Sequence, residues 1–320
     1  MNFLKKIKYN YNLKRLEDLI KNKDNKELNA IIIEKFHNDI TLLKTIFQLK
    51  EKQLIDINSD QNLDNKKIIW INGYLDNDTE FLQNFLKFYF QKVKFDSIEF
   101  IPYRNFIFDI NERLEIKKMK FEEYISNANF YQYCLKNIYS NKKYSFVQNS
   151  IPFYETADKK MFTHPNLSSC YFYVVRHPFE ILTILKNQTE NLDLSINQIL
   201  NLDQRNVEYQ SGNYSLELPL KDWGTHLNSW TGQNVMESFN GLVVNFDNLI
   251  KDPIFALAEI IGHLIQNSIP LELNYEIISE FVAGQNSQIT KTPKYELSNA
   301  KKKLFKRQFD QNTSIVNFEI

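Results

Sequence analysis

Short apolar runs alternate with amphipathic stretches along most of this chain. Continuous runs of apolar and β-branched residues predict buried strands at 67–72, 98–102, 145–147, 171–175 and 241–246. Apolar residues at helical spacing predict helices at 79–90, 111–141, 178–187, 195–200, 222–230 and 253–265. Because strands that alternate with helices indicate a parallel sheet covered on both faces, we expect an α/β protein built in three layers.

The N-terminal part of the chain has a different pattern. Residues 1–64 show apolar positions at helical spacing with long polar faces, and a polar break near 59–65 follows them. We therefore predict a helical N-terminal extension over 1–64 and a main domain over 65–320. A cap on the main domain is the interpretation we favour for the extension, and a module that binds a partner is the alternative.

Composition narrows the class of protein. The chain has 320 residues, of which 43% are hydrophobic, so it can form a sizeable core. Lysine plus arginine and aspartate plus glutamate both total 39, which disfavours a broadly basic nucleic-acid-binding protein. Cys134 and Cys170 have neither disulfide-framework nor zinc-site spacing. With no apolar stretch of signal-peptide or membrane-span length, we expect a cytoplasmic protein without a transmembrane segment.

Residues that follow the predicted strands are candidates for function, because parallel sheets bind ligands at the carboxyl ends of their strands. Arg176 comes directly after the strand 171–175, and Pro178 opens the next helix. A guanidinium beside a helix N-terminus can hold phosphate or sulfate, and a neighbouring carboxylate is its alternative partner. His164 lies in the loop before this strand. Near the carboxyl edge it can serve as a general base, although an ordinary histidine is the simpler interpretation of its position.

Several segments resemble the sulfotransferases that use 3′-phosphoadenosine 5′-phosphosulfate (PAPS). The residues VVRHPFE at 174–180 are similar to that family's 3′-phosphate-binding segment, and Thr163-His164 resembles its K-T-H motif. The helix DWGTHLNSW at 222–230 and the strand and turn at 242–253 resemble two further family motifs, and 195–198 resembles a helix of bacterial members. These segments occur in the family's order over about 67–265.

The resemblance implies a P-loop NTPase-like sulfotransferase fold and transfer of a sulfuryl group from PAPS to a hydroxyl or amine. It implies that Arg176 holds the donor's 3′-phosphate and that His164 deprotonates the acceptor, a small molecule or a glycan. Thr79 is the candidate phosphate ligand in the loop after the first strand. Thr183 is the candidate beside Ile184, which occupies the position of the family's serine. No metal ion is implied.

The chain departs from the family in the loop that should hold the 5′-phosphosulfate. Asp76, Asp78 and Glu80 stand at the positions of the family's lysine, glycine and threonine. Like charges at contact distance repel by about 4 kcal/mol per pair at intermediate dielectric. Phe162 stands at the lysine of K-T-H. A catalytically inactive protein of the same fold, acting as a binding or scaffold module, is therefore the alternative function.

Two further expectations concern other parts of the chain. A nucleotide kinase or NTPase would need G-x-x-x-x-G-K-[ST], which the sequence does not contain, so we rank this class last. The polar segment 201–219 predicts a flexible lid over the site.

Overall fold

The computed structural model describes residues 67–74, 76–135, 142–156, 161–165, 167–189, 195–196, 199–200, 206–219, 221–284, 296–299, 301–303 and 305. The predicted N-terminal extension and its boundary at residue 64 lie outside the described residues.

Eight strands and nine helices are defined within these residues. The strands are β1 (Lys67–Gly73), β2 (Ile98–Pro102), β3 (Lys118–Met119), β4 (Tyr144–Asn149), β5 (Ser168–Val175), β6 (Asn206–Ser211), β7 (Tyr214–Pro219) and β8 (Gly241–Asn245). The helices are α1 (Asp76–Lys92), α2 (Tyr103–Leu114), α3 (Phe121–Cys134), α4 (Pro178–Thr189), α5 (Trp223–Thr231), α6 (Gln233–Ser238), α7 (Phe246–Lys251), α8 (Pro253–Gln266) and α9 (Tyr275–Gly284).

Five parallel strands form the central sheet in the spatial order β2-β4-β1-β5-β8. From β1 the chain passes to the edge strand β2 and returns to β4, and then β5 and β8 extend the sheet on the other side of β1. The direction of winding therefore reverses at β1. The crevice outside its carboxyl end, between β4 and β5, is where open parallel sheets bind ligands.

Side chains of the central strands alternate between two helical layers. Ile69 and Ile71 of β1 face the core formed with α1, α7, α8 and α9. Ile68 and Trp70 face the opposite core, formed with α2, α3, α4 and α5. The predicted three-layer α/β architecture is confirmed. Among the described helices, none combines the length and the apolar composition that a bilayer crossing requires.

All five predicted strands are present, but two other predictions need correction. The single helix predicted at 111–141 is replaced by α2 and α3, because Glu115 ends α2 in the left-handed conformation with φ of 63°. Glycine or asparagine usually marks such an end, so a glutamate gives no signal. Residues 206–219, predicted as a flexible lid, fold into the antiparallel hairpin β6–β7, which pairs with β3 in a second sheet.

One position of the central sheet requires glycine, because a side chain of the neighbouring strand approaches its backbone closely. Gly241 opens β8 opposite Tyr171 of β5, and a Cβ atom at residue 241 would overlap the phenol ring of Tyr171. That ring is fully buried, and its hydroxyl donates to the carbonyl of Trp230. The ring is therefore held from both sides, and a larger residue at 241 meets a group that cannot move easily.

We expect Gly241→Ala to lower the free energy of unfolding by about 1–3 kcal/mol, because it overpacks this contact. The matched control is Gly262→Ala within α8, where nothing lies within 4 Å of the added Cβ. The control should stabilise the protein by roughly 0.5–1 kcal/mol, since alanine favours a helix interior. Urea unfolding curves of the three proteins measure both changes, and equal midpoints for wild type and Gly241→Ala would contradict the close approach.

Candidate ligand-binding site

Two buried asparagines join the central strands at the carboxyl edge of the sheet. Asn72 of β1 lies in register with Asn149 of β4, and Asn149 Nδ2 donates to Asn72 Oδ1 over 2.9 Å. Asn149 also donates to the carbonyl of Ile151 and accepts from its N–H, at 3.0 and 3.1 Å. The turn after β4 is thereby fixed to the end of β1. Asn72 Nδ2 is buried and has no hydrogen-bond partner among the described residues.

His226 of α5 bridges the strands on either side of β1. Its Nε2 lies 3.1 Å from the carbonyl of Ser150, and its Nδ1 lies 2.9 Å from the hydroxyl of Tyr173. Because a carbonyl only accepts, Nε2 carries the proton and Nδ1 accepts from Tyr173. The ring is 1% exposed, and burial lowers the pKa of His226 to about 4. His226 is therefore neutral with both nitrogens engaged, which makes it a positioning group for the turn after β4.

Helix α1 follows the carboxyl end of β1, and its first residues are acidic in sequence. The helix begins with Asp76 and continues DNDTE, so three carboxylates lie within its first five residues. Thr79, a predicted phosphate ligand, is fully buried there, and its hydroxyl accepts from Gln148 Nε2 at 2.6 Å.

Arg176 lies at the carboxyl end of β5, where its guanidinium carbon is 3.4 Å from the centroid of the Phe246 ring. Phe246 is the buried first residue of α7 and directly follows β8. A guanidinium stacked on an aromatic ring keeps its N–H groups in the plane, directed past the ring edge. The contact with Phe246 therefore restrains the guanidinium of the half-buried Arg176, and contact of Arg176 with an anion stays a prediction.

The N-terminus of α4 contributes less to such a contact than the sequence suggests. Pro178 has no N–H, the N–H of Phe179 donates to His177 Nδ1 at 3.1 Å, and that of Glu180 donates to the His177 carbonyl at 2.9 Å. Thr183, the second predicted ligand on this helix, donates to the carbonyl of Phe179 at 3.1 Å. An anion at this position would be held by the arginine side chain more than by the helix.

His164 does not lie near these residues. Its carbonyl accepts from the N–H of Ser168, the first residue of β5, so His164 is at the amino edge of the sheet. Arg176 follows the last residue of the same strand, and eight strand residues span roughly 25 Å. The expected position of His164 near the carboxyl edge is wrong, and a base must lie within hydrogen-bond reach of its proton. The motif-like Thr163 is buried beside it and donates to Gln132 Oε1.

A cavity of about 230 Å³ opens beside the ends of β2 and β4. Arg104, in the first turn of α2, borders it, and its guanidinium carbon lies 4.4 Å from the centroid of the Tyr209 ring on β6. The remaining lining residues are neutral: Pro102, Tyr103, Asn105, Gln148, Asn149, Ser150, Ile151 and Leu218. The hairpin predicted as a lid thus supplies one wall.

His226, Arg104 and Asn72 were not among the site residues predicted from the sequence. His226 lies in the motif-like helix 222–230, which is a signal that was available for it. Asn72 ends an apolar strand and Arg104 follows one, so the rule that selected Arg176 also covers both residues. Where these residues lie relative to one another could not be predicted without the order of the strands in the sheet.

Comparisons with known proteins find structural similarity only. No protein-family model matches the chain, and no curated protein has a significant sequence match. One similar solved structure is the crystal structure of mouse sulfotransferase SULT7A1 complexed with PAP, with 13% sequence identity and a TM-score of 0.44. The match covers 78% of this chain and 85% of that chain. Function is therefore inferred from the residues of the site.

We expect acid to destabilise the protein through His226. Its pKa is lowered from 6.5 to about 4 in the folded state, so between these pH values the unfolded chain binds a proton that the folded chain does not. The stabilisation is complete above pH 6.5 and decreases as the pH falls toward 4, by about 3 kcal/mol in total.

Urea unfolding of the wild type and His226→Gln across this pH range measures the effect. The variant should be less stable at neutral pH, and its stability should depend less on pH than that of the wild type. His164→Gln is the control at a half-buried histidine and should flatten the curve less. Parallel curves for the wild type and His226→Gln would show that His226 is protonated at its ordinary pKa.

Proposed function

We propose that the chain binds an adenosine nucleotide with a 3′-phosphate at the carboxyl edge of the sheet, with Arg176 contacting the phosphate. The stacking of Arg176 on Phe246 is the observation that supports this proposal most directly. It fixes the plane of a permanent cation beside the crevice next to β1, and planar N–H pairs suit phosphate oxygens. The similarity of residues 174–180 to a 3′-phosphate-binding segment is consistent with this ligand.

The residues at the carboxyl edge favour binding of the nucleotide without transfer of a sulfuryl group. In-line transfer of a sulfuryl group needs donors that neutralise the oxygens of the transferred group and a base at the acceptor. The first five residues of α1, DNDTE, include three acidic residues and no lysine or arginine. Both nitrogens of His226 are engaged in buried hydrogen bonds, and His164 lies at the opposite edge.

Transfer of a sulfuryl group from PAPS to a hydroxyl or amine is the second candidate function. The cavity beside Asn149 and Ser150 favours it, because the cavity opens at the same edge as Arg176 and could hold a small-molecule or sugar acceptor. In this alternative, PAPS would lie across the carboxyl end of β1, between Arg176 and the cavity.

We expect adenosine 3′,5′-bisphosphate to bind the wild type, and Arg176→Gln to weaken that binding about 10- to 100-fold. This range corresponds to about 1.5–3 kcal/mol for a hydrogen bond to a charged group. Isothermal titration calorimetry measures both affinities. The control is Arg113→Gln, which removes an arginine that pairs with Asp109 on α2 at 3.0 Å. No heat at millimolar nucleotide, or equal affinity for Arg176→Gln, would contradict the proposed function.

The two candidate functions are separated by an assay for product release. The wild type is incubated with PAPS and a panel of phenols, amines and oligosaccharides, and adenosine 3′,5′-bisphosphate is quantified by chromatography. We expect release no faster than in protein-free controls, because the start of α1 has no lysine or arginine in its sequence and His226 is engaged in buried hydrogen bonds. Acceptor-dependent release that Arg176→Gln abolishes would establish the transferase instead.

A further inference from the structure

A second arginine borders the carboxyl edge in the same manner as Arg176. Arg104 is the second residue after the end of β2, and its guanidinium carbon lies over the ring of Tyr209, 4.4 Å from the centroid. In the order β2-β4-β1-β5, the strands that precede the two arginines are three positions apart, or about 14 Å. The edge therefore has a stacked cation on each side of β4 and β1.

The wall of the cavity is neutral apart from Arg104. Its other lining side chains are amides, hydroxyls and apolar groups. The hairpin carries Glu208 and Glu217, but these are cross-strand partners on the face opposite to Tyr209 and Leu218, because successive strand residues alternate in direction. The cavity thus has positive potential from Arg104 and no carboxylate in its lining.

The N-terminus of α2 adds to this potential. Pro102 is its N-cap residue, no side chain caps the helix there, and its first turn contains no acidic residue. The residues of this turn themselves line the cavity. The dipole of a 12-residue helix is therefore directed at the cavity without the acidic residues found at the start of α1.

A buried donor without a partner lies next to the cavity wall. Asn149 lines the cavity and donates to Asn72 Oδ1, while the Nδ2 of the fully buried Asn72 has no partner among the described residues. Leaving a buried donor unpaired costs about 1–3 kcal/mol, and such groups usually meet a water or a ligand oxygen. Asn72 does not line the cavity itself, so this donor lies behind the wall formed by Asn149.

We propose that this cavity binds a small molecule with an oxyanion, a carboxylate or a phosphate monoester, and that Arg104 and the N-terminus of α2 hold the anionic group. The cavity volume of about 230 Å³ is below the usual range for drug-sized ligands and suits a small metabolite. The site is separate from Arg176 and does not require that a nucleotide bind there.

The probes that test this site are glycerol 3-phosphate and D-glycerate, with glycerol as the uncharged control. Isothermal titration calorimetry should show binding of at least one anionic probe and no binding of glycerol. Arg104→Gln should weaken binding at least tenfold, and Arg104→Lys should weaken it less, because lysine keeps the charge without the planar fork. Arg113→Gln on the same helix should bind as the wild type does, and thermal melting checks that every variant is folded.

Arg176→Gln separates this proposal from the nucleotide site. It should bind the anionic probe as tightly as the wild type, even though its affinity for adenosine 3′,5′-bisphosphate is reduced. Failure of both anionic probes to bind at millimolar concentration would overturn the proposal. So would equal binding by Arg104→Gln and the wild type. Loss of probe binding in Arg176→Gln alone would place the anion at Arg176 and also overturn it.

Discussion

His226 joins two strands that are not neighbours. Strands β4 and β5 lie on either side of β1, and the two ring nitrogens bond the carbonyl of Ser150 after β4 and the hydroxyl of Tyr173 within β5. This bridge spans the end of β1, where the direction of winding reverses and a crevice forms. Asn149, the last residue of β4 before this turn, donates to Asn72 of β1 and so also connects the turn to β1. The cavity depends on this arrangement, because Ser150 and Ile151 of the fixed turn line it.

Charge is distributed unevenly along the carboxyl edge. Helix α1 starts at the centre with the sequence DNDTE, whereas the two flanks have Arg104 and Arg176. Each arginine rests on an aromatic ring from a different element, Tyr209 of the hairpin and Phe246 after β8. Such stacking reduces the side-chain entropy lost when an anion binds, because the guanidinium plane is already fixed. The two flanks of the edge therefore each present a cation whose guanidinium contacts an aromatic ring.

Much of the fold could be predicted from sequence, because the central strands are short continuous apolar runs, which are typical of buried strands. The strand 98–102 has the predicted bounds, and Arg176 follows its strand as expected. The site was harder to predict. His164 and Arg176 are only 12 residues apart in the chain, which suggested that they lie close together. The whole of β5 runs between them, however, so they lie at opposite edges of the sheet. The hairpin was missed because its exposed face is polar, and its buried Leu216 and Leu218 alternate over only a few residues.

The protonation state of His226 connects the fold to the function we propose. A general base at neutral pH needs an available lone pair near the reacting atom and a pKa near the working pH. His226 has a pKa of about 4, and its Nδ1 lone pair already accepts from Tyr173. Freeing that lone pair would leave the Tyr173 hydroxyl without its buried acceptor, at a cost of about 1–3 kcal/mol, and would loosen the bridge across β1. The same hydrogen bonds that shape the crevice thus withhold His226 from proton transfer, which favours binding over chemistry at this edge.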